Sequence, residues 1–213
     1  MTKIDLVKER KDIYNPGIKT PVFVDIPKIQ YLMIDGKGDP NTSKLYQDSI
    51  MALFNVSYTL KFMVKKGPLA IDYKVMPLEG LWWSEDMQDF AQGKKDNWKW
   101  TVMIRQPDFV DAGMLKDAVT KVVAKLTAGK TNMDAVIERV NQMRLEMVTD
   151  GKCATIMHIG PFTAEGPTIE RLHRFIIDNG YKLSGKHREI YLSDIRKADP
   201  TKWKTVIRQP VKQ

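Results

Sequence analysis

The sequence predicts an α+β fold of two tandem strand-helix-strand-strand modules with pseudo-twofold symmetry, whose antiparallel sheets surround a central cleft. The first observation behind this prediction is an internal near-copy, since residues 100–107 (WTVMIRQP) recur as residues 203–210 (WKTVIRQP). Four consecutive identities after a tryptophan at the same distance indicate a duplicated unit. The second observation is that the same order of predicted elements precedes each copy.

The first module covers residues 26–108. An apolar run from Ile29 to Asp35 predicts a strand that stops at the turn residues 36–40. A helix follows and ends at Gly67-Pro68, and two further strands are expected at about residues 71–78 and 98–106. The helix is predicted from apolar residues at close to 3.6-residue spacing, namely Leu45, Leu53, Val56, Leu60 and Val64.

The second module covers residues 149–213 and repeats this order with shorter parts. Residues 153–159 predict a strand, and a helix opens at Pro167 and closes at Asn179-Gly180. Two strands at about residues 187–193 and 204–209 complete the module.

The remaining segments are a helical connection and an N-terminal arm. Residues 109–148 predict helices with two apolar stripes, Leu115, Val119, Val122 and Leu126 on one and Met133, Val136, Val140 and Met147 on the other. Residues 1–25 contain two prolines and no clear periodicity, so we expect an extended arm laid over the first module. All four segments belong to a single domain, residues 1–213.

The composition is that of a globular protein, with 43% hydrophobic and 28% charged residues. No run approaches the roughly 20 apolar residues that span a bilayer, and the N-terminus lacks the apolar core of a signal peptide. We therefore expect a cytoplasmic protein without a membrane partner. The single cysteine, Cys153, lies in an apolar run, which favours inert packing over the alternative of a reactive thiol.

The charge pattern argues against nucleic acid as a partner. The net charge of +8 invites that interpretation, but the basic residues come singly or in short groups with acids between them. No helix-turn-helix or zinc-finger pattern accompanies them. The expected partner is a small molecule, and the sequence leaves the oligomeric state open.

Metal and cofactor motifs are missing from the sequence. The three histidines have no mutual spacing that would build a metal site. Gly36 and Gly38 resemble the start of a dinucleotide loop, but the third glycine is missing, so we interpret them as a turn. We therefore predict no metal and no cofactor.

Aromatic and methionine residues are dense in the predicted strands, and one carboxylate lies among them. Period-two alternation over residues 187–193 puts Ile190 and Leu192 on the face that covers the helices, leaving Glu189 and Tyr191 on the other face. A carboxylate among aromatic rings suits a flat, apolar or cationic ligand. The alternative is that Glu189 pairs with a lysine at a sheet edge.

Residues 31–41 (YLMIDGKGDPN), 76–83 (MPLEGLWW), 188–194 (REIYLSD) and 207–210 (IRQP) together make the chain resemble a stand-alone GyrI-like protein. The resemblance implies the two-module fold and a buried glutamate in an aromatic pocket, which in multidrug-sensing transcription regulators receives lipophilic cations. Glu189 lies in the segment that resembles that pocket. Some stand-alone relatives hydrolyse cyclopropane-containing DNA-alkylating compounds. Two features depart from the pattern: no helix-turn-helix is present, and Lys74 takes the place of Glu189 in the first module.

We therefore predict binding of planar hydrophobic xenobiotics, cationic ones included, with hydrolysis of reactive cyclopropane-containing compounds as the proposed reaction. Glu189 would activate water, and Tyr191 would donate a hydrogen bond. The residues predicted to contact ligand are Tyr73, Met76, Trp82, Trp83, Trp100, Met103, His158, Phe162 and Trp203. The alternative is a non-catalytic protein that sequesters or senses drugs, or that inhibits a protein partner such as a topoisomerase.

Overall fold

The chain is described from residue 2 to 86 and from 93 to 213 in a computed structural model. Its helices are α1 (Leu6–Glu9), α2 (Lys11–Tyr14), α3 (Lys44–Lys66), α4 (Ala112–Thr127), α5 (Asp134–Asn141) and α6 (Gly166–Asp178). Its strands are β1 (Thr2–Ile4), β2 (Val22–Ile26), β3 (Ile29–Lys37), β4 (Ile71–Tyr73), β5 (Leu78–Trp83), β6 (Lys99–Arg105), β7 (Arg144–Val148), β8 (Gly151–Ile159), β9 (Lys182–Leu183), β10 (His187–Tyr191) and β11 (Lys204–Lys212). The fold class is α+β, as predicted.

The described chain divides into two units that are not contiguous in sequence. Unit 1 comprises Met1–Leu6, Gln30–Met76 and Trp83–Met147, and unit 2 comprises Val7–Ile29, Pro77–Trp82 and Val148–Gln213. The predicted order of strand, helix, strand and strand is present in both halves of the sequence: β3, α3, β5 and β6, then β8, α6, β10 and β11. The module boundaries and the twofold relation stay predictions.

Unit 1 is built on the antiparallel pair β3 and β6, with β7 on the other side of β3. Gly36 lies opposite Trp100 in this pair, and Met33 lies opposite Met103. The Trp100 ring packs edge-on against Tyr46 of α3, at 5.1 Å between ring centroids. A Cβ atom added to Gly36 would come within 2.1 Å of the Trp100 ring. Gly36 therefore leaves the space in which this tryptophan packs beneath α3.

Two helices of unit 1, α3 and α4, begin where the side chain of a capping residue accepts a hydrogen bond from a free backbone N–H. Ser43 accepts a hydrogen bond from the Tyr46 amide at the start of α3, and Asp111 accepts one from the Met114 amide at the start of α4. Along α3, the apolar residues that the sequence placed on one stripe are buried from Leu53 onwards. Leu45, the first residue of that stripe, is exposed instead.

Unit 2 is built on an antiparallel sheet with the strand order β2-β8-β11-β10-β5, and β9 pairs with the end of β11. Directly paired residues of neighbouring strands lie on the same face of a sheet. The register places His158, Thr205 and Tyr191 in one row across β8, β11 and β10. Glu189 lies in the next row, opposite Ile207.

Helix α6 covers the sheet face that carries Glu189 and Tyr191, which corrects the sequence prediction. Leu172 and Ile176 of α6 pack in one buried cluster with Ala154, Ile156 and Ile207, and Ile207 shares its face with Glu189. Ile190, which the sequence alternation assigns to the helix side, lies on the opposite face. Both faces of β10 carry buried residues, so alternation alone could not decide which face the helix covers.

The opposite face of unit 2 holds a fully buried arginine network. The Arg188 guanidinium donates to Glu79 at 2.9 Å and lies 3.0 Å from the Asp150 carboxylate. Arg208 donates to the backbone oxygen of Ile13 at 3.3 Å, which ties α2 to the sheet. Each buried cation therefore has a carboxylate or carbonyl partner, as burial of charge requires.

Three further element predictions were wrong. The predicted strand at residues 71–78 is two separate strands, β4 and β5, because the segment around Pro77 does not continue the pairing, and Lys74 lies outside both. Met147 belongs to β7 rather than to a helix. The described part of the predicted extended arm, residues 2–25, instead contains short helices and strands, and β2 pairs with β8 in unit 2. None of the described helices is long and apolar enough to cross a bilayer.

Candidate functional site

An aromatic cluster lies at one end of the sheet in unit 2. Strand β8 ends in a turn at Gly160, whose φ of +137° favours glycine, and a 3-10 turn at Phe162–Ala164 follows. This turn places the Phe162 ring 5.4 Å from the Tyr191 ring and 4.9 Å from the Trp203 ring, measured between centroids. Phe162 is 36% exposed, and Trp203 and Tyr191 are half-buried. The cluster therefore offers ring surface that a ligand can contact.

Glu189 is held beneath this cluster by two neighbouring side chains. The Tyr191 hydroxyl donates to Glu189 Oε2 at 2.7 Å, and it accepts a hydrogen bond from Trp82 Nε1 at 3.1 Å. The His187 Nε2 atom lies 3.2 Å from Glu189 Oε1. These contacts fix the orientation of a carboxylate whose side chain is 14% exposed. The hydrogen bonds occupy one lone pair on each oxygen and leave others for a ligand or water.

The position of Glu189 excludes the alternative of a lysine partner at a sheet edge. Strand β10 is an interior strand, paired with β11 on one side and β5 on the other. Among the described residues, the hydrogen-bond partners of the Glu189 carboxylate are Tyr191 and His187 rather than a lysine.

A second carboxyl group of unit 2, that of Glu165, is buried as well. Glu165 stands directly before α6 and is only 5% exposed. Burial and, to a smaller extent, the negative charge of Glu189 raise the pKa of Glu165 to about 9, and the Thr205 hydroxyl acts in the opposite direction. Glu165 is therefore a neutral carboxylic acid at pH 7.

His158 completes the polar part of the site. It lies in one row with Thr205 and Tyr191, and its Nδ1 atom is 3.0 Å from the Thr168 hydroxyl of α6. Burial lowers the pKa of His158, so the imidazole is neutral at pH 7. Its Nε2 atom is buried without a hydrogen-bond partner among the described residues. This Nε2 atom can therefore form one hydrogen bond with a ligand.

Six of the eleven residues predicted for the site lie together in unit 2: Trp82, His158, Phe162, Glu189, Tyr191 and Trp203. The other five, Tyr73, Met76, Trp83, Trp100 and Met103, lie in unit 1. Trp100 is fully buried against Tyr46 of α3, and the Tyr73 ring packs edge-on against Phe109. We therefore remove Trp100 from the proposed site, because its ring contacts a helix of the core.

Sequence reasoning missed Glu165, His187 and Thr205. The alternation that singled out Glu189 also puts His187 on its face, so this residue had a usable signal. Thr205 becomes a neighbour of Tyr191 only through the register of β11 with β10. Glu165 follows a turn where a charged side chain is ordinarily exposed, so nothing in the sequence marks it.

One other region, a surface depression in unit 1, offers less chemistry than the aromatic cluster. A surface depression of about 530 Å³ in unit 1 is lined by Thr59, Phe62, Met63, Lys66, Gly67 and Lys121. Its charged residues are lysines, so it does not suit a cation. Within residues 2–86 and 93–213, no three His, Cys, Asp or Glu side chains lie close enough together to hold a metal ion.

Comparison with known proteins places the whole chain in one family. The family model of the GyrI-like small molecule binding domain matches residues 19–212. A hydrolase from Listeria innocua is 37% identical, with a TM-score of 0.82, and the match covers 99% of this chain and all of that one. An uncharacterised conserved protein from the same organism is 36% identical, with a TM-score of 0.84 over 98% of this chain and all of the other.

A more distant structure has the same fold. The C-terminal domain of EcmrR is 17% identical, with a TM-score of 0.55, and the match covers 91% of this chain and 98% of that domain. We find no match among curated protein sequences.

Proposed function

The chain belongs to the GyrI-like family of small-molecule-binding domains, and we propose that it binds planar hydrophobic electrophiles and hydrolyses them. The observation that carries the proposal is Glu189, an oriented carboxylate beneath the rings of Phe162, Tyr191 and Trp203. The similarity to a Listeria innocua hydrolase at 37% identity supports it. The substrate class that we propose is strained compounds such as cyclopropane-containing DNA-alkylating agents.

Binding would use the aromatic cluster. A flat conjugated ligand gains dispersion and stacking energy on exposed ring faces, and a cationic ligand also gains from the quadrupole of the rings and from the charge of Glu189. Trp82 Nε1 donates a hydrogen bond to the Tyr191 hydroxyl, so the position of the Tyr191 ring is already fixed without a ligand. A preformed site loses less entropy on binding.

Catalysis would use Glu189 as a general base. An attacking water gives one proton to the carboxylate while its oxygen forms a bond to the electrophilic carbon, and the strained bond of the ligand breaks. His187 and Tyr191 position the carboxylate through their hydrogen bonds. The cluster holds the electrophilic carbon close to that water, which converts a bimolecular encounter into a step within one complex.

Non-catalytic drug binding is the second candidate function. The observation that favours it is that both oxygens of Glu189 already have hydrogen-bond partners, which suits a fixed counter-charge for a lipophilic cation. Such a protein would sequester or sense drugs without changing them. The two candidates share one site and differ in what happens to a reactive ligand.

Mass spectrometry of the ligand distinguishes the two candidates. The purified protein is incubated with a panel of planar electrophiles, and each product is examined for the gain of one water. We expect this gain with the wild-type protein and at least about a 100-fold slower reaction with Glu189→Gln, which cannot accept the proton. Glu170→Gln is the matched control, because Glu170 is an exposed glutamate on α6. Saturable binding without any gain of water would leave only the drug-binding candidate.

A further inference from the structure

Helix α3 of unit 1 carries a row of exposed apolar side chains. Met51, Tyr58 and Phe62 are each between 41% and 49% exposed. Phe54 is half-buried beside Tyr58, with 6.3 Å between the two ring centroids. Their spacing of three or four residues places all four on one side of the helix, and we call this row the α3 track. Exposed apolar side chains that adjoin one another in this way are typical of an interaction site, whereas single ones are ordinary.

The α3 track ends at the surface depression of about 530 Å³. Phe62 belongs to both, because it is the last residue of the track and also lines the depression. Thr59, Met63 and Lys66 of the same helix line the depression with it, and α4 contributes Lys121. The volume lies within the range of small-molecule sites. From Met51 to Lys66 the helix rises by about 22 Å, so the surface is long and has the depression at one end.

The unpaired positive charge of this surface is concentrated at that end. Three of the four lysines of α3 have an aspartate partner. The fourth is Lys66, and neither it nor Lys121 forms an ion pair with a described residue. Lysine is common in the last turn of a helix, where the dipole favours it, but Lys121 lies within α4 rather than at its end. No carboxylate is among the described residues that line the depression or form the α3 track.

We propose that this surface binds a single-chain anionic amphiphile such as a fatty acid, with the anionic head at Lys66 and Lys121 and the chain along the α3 track. The surface has the same polarity pattern as the ligand, since cations lie at one end and methionine and aromatic side chains along the rest. Burial of the chain removes apolar surface from water on both partners, and the head gains charge-assisted hydrogen bonds. This site shares no residue with the aromatic cluster of unit 2 and does not depend on hydrolysis.

The charge pattern favours a free amphiphile over two other occupants. A second copy of the chain would bring no carboxylate to the two lysines, because none lies on this surface among the described residues. On a bilayer, apolar side chains insert while lysines around them stay at the level of the headgroups. Here both unpaired lysines lie at one end of a surface about 22 Å long. One chain lying along the helix fits that arrangement better than many chains standing side by side.

Equilibrium dialysis of the full chain with radiolabelled laurate, and with its neutral counterpart dodecanol, tests the proposal at low micromolar concentration. We expect one laurate per chain. The double variant Lys66→Gln/Lys121→Gln should bind laurate about tenfold more weakly and dodecanol within about twofold of wild type. Phe62→Ser should weaken both ligands at least about fivefold, because either chain contacts the ring. Lys116→Gln is the matched control, since Lys116 is exposed on α4 but does not line the depression.

Absence of laurate binding, or equal laurate affinity in wild type and in both variants, would overturn this inference and leave the proposed function of unit 2 in place. The replaced side chains are exposed, and urea unfolding checks that the variants are as stable as wild type. Two further results would contradict the proposal. One is binding to phosphatidylglycerol-containing vesicles that Phe62→Ser removes, without one-to-one binding of laurate. The other is a dimer in sedimentation equilibrium that Phe62→Ser dissociates, because a second copy would then cover the α3 track.

Discussion

The chemistry of the site depends on a few side chains whose environments differ sharply. Glu189 is oriented by Tyr191 and His187 and keeps access to solvent, whereas Glu165 is buried and protonated. Cys153, which the sequence favoured as an inert residue, is fully buried, and burial raises the pKa of its thiol to about 12. A thiol in this state is a poor nucleophile, so Cys153 packs in the core rather than taking part in chemistry.

The first prediction concerns the rings. Replacing Phe162 or Trp203 by alanine should weaken the binding of a planar ligand by about 1–3 kcal/mol, because each ring exposes surface in the cluster. Trp100→Ala should instead lower the free energy of unfolding by about 3–5 kcal/mol, as a buried tryptophan of the core. Fluorescence titration measures the affinities, and urea unfolding measures the stabilities. Wild-type affinity in both ring variants would exclude the cluster as the binding surface.

The second prediction concerns pH and the stability of the fold. The folded state raises the pKa of Glu165 from 4.5 to about 9, so between these values the folded protein holds a proton that the unfolded chain has lost. This contribution to stability is complete below about pH 4.5 and is lost as the pH rises towards 9. We therefore expect Glu165→Gln to gain stability relative to wild type with rising pH, by about 1.4 kcal/mol per pH unit at most.

Urea unfolding of both proteins between pH 5 and pH 9 measures that difference. Because the other titrating groups are the same in the two proteins, most of their contributions cancel. A difference in unfolding free energy that stays constant over this range would show that Glu165 titrates normally in the folded state.

At the scale of elements, apolar periodicity predicts a helix or strand where one face of the element is buried and the other face is polar. Helix α3 was predicted close to its observed bounds for this reason. Strands β8 and β11 are buried on both faces, and their bounds followed instead from an apolar run that ends at turn residues and from the internal repeat. The predicted bounds were wrong where pairing with a distant segment determines where a strand begins and ends. The strand at residues 71–78 was not divided into β4 and β5, because those strands are defined by their different partners, β1 and β10.

The same limit explains the error over the faces of β10. Arg188 and Ile190 on one side of the strand and His187 on the other are all buried, so no polar face remains to identify the solvent side. Glu189 and Tyr191 were correctly placed on one face, but the helix covers that face rather than the opposite one.

The third prediction tests how α3 is seated on the sheet of unit 1. Gly36→Ala should lower the free energy of unfolding by about 1–3 kcal/mol, because its Cβ would come within 2.1 Å of the Trp100 ring and force that ring to move. Gly166→Ala is the control, since a Cβ there meets nothing within 4 Å, and it should stay within about 0.5 kcal/mol of wild type or be slightly stabilised. Equal effects of the two substitutions would contradict this packing.

At the scale of the whole molecule, the internal repeat and the family resemblance predicted the fold class, and the GyrI-like family covers residues 19–212. Each compact unit comprises three separate stretches of chain, which the repeat alone does not predict, and the module boundaries stay predictions. The candidate site was predicted in part. Glu189, Tyr191 and four of the ring or imidazole residues were found from pattern and resemblance, whereas Glu165 depends on a turn that only the folded chain defines.

The most direct measurement of the central claim is a fluorescence titration with two planar ligands of the same shape, one cationic and one neutral. With Glu189→Gln, we expect affinity for the cation to fall at least about tenfold while affinity for the neutral ligand stays within about twofold, because the variant loses only the charge beneath the rings. Glu170→Gln, exposed on α6, should bind both ligands as the wild-type protein does. Wild-type affinity of Glu189→Gln for the cation would contradict the assignment of this site.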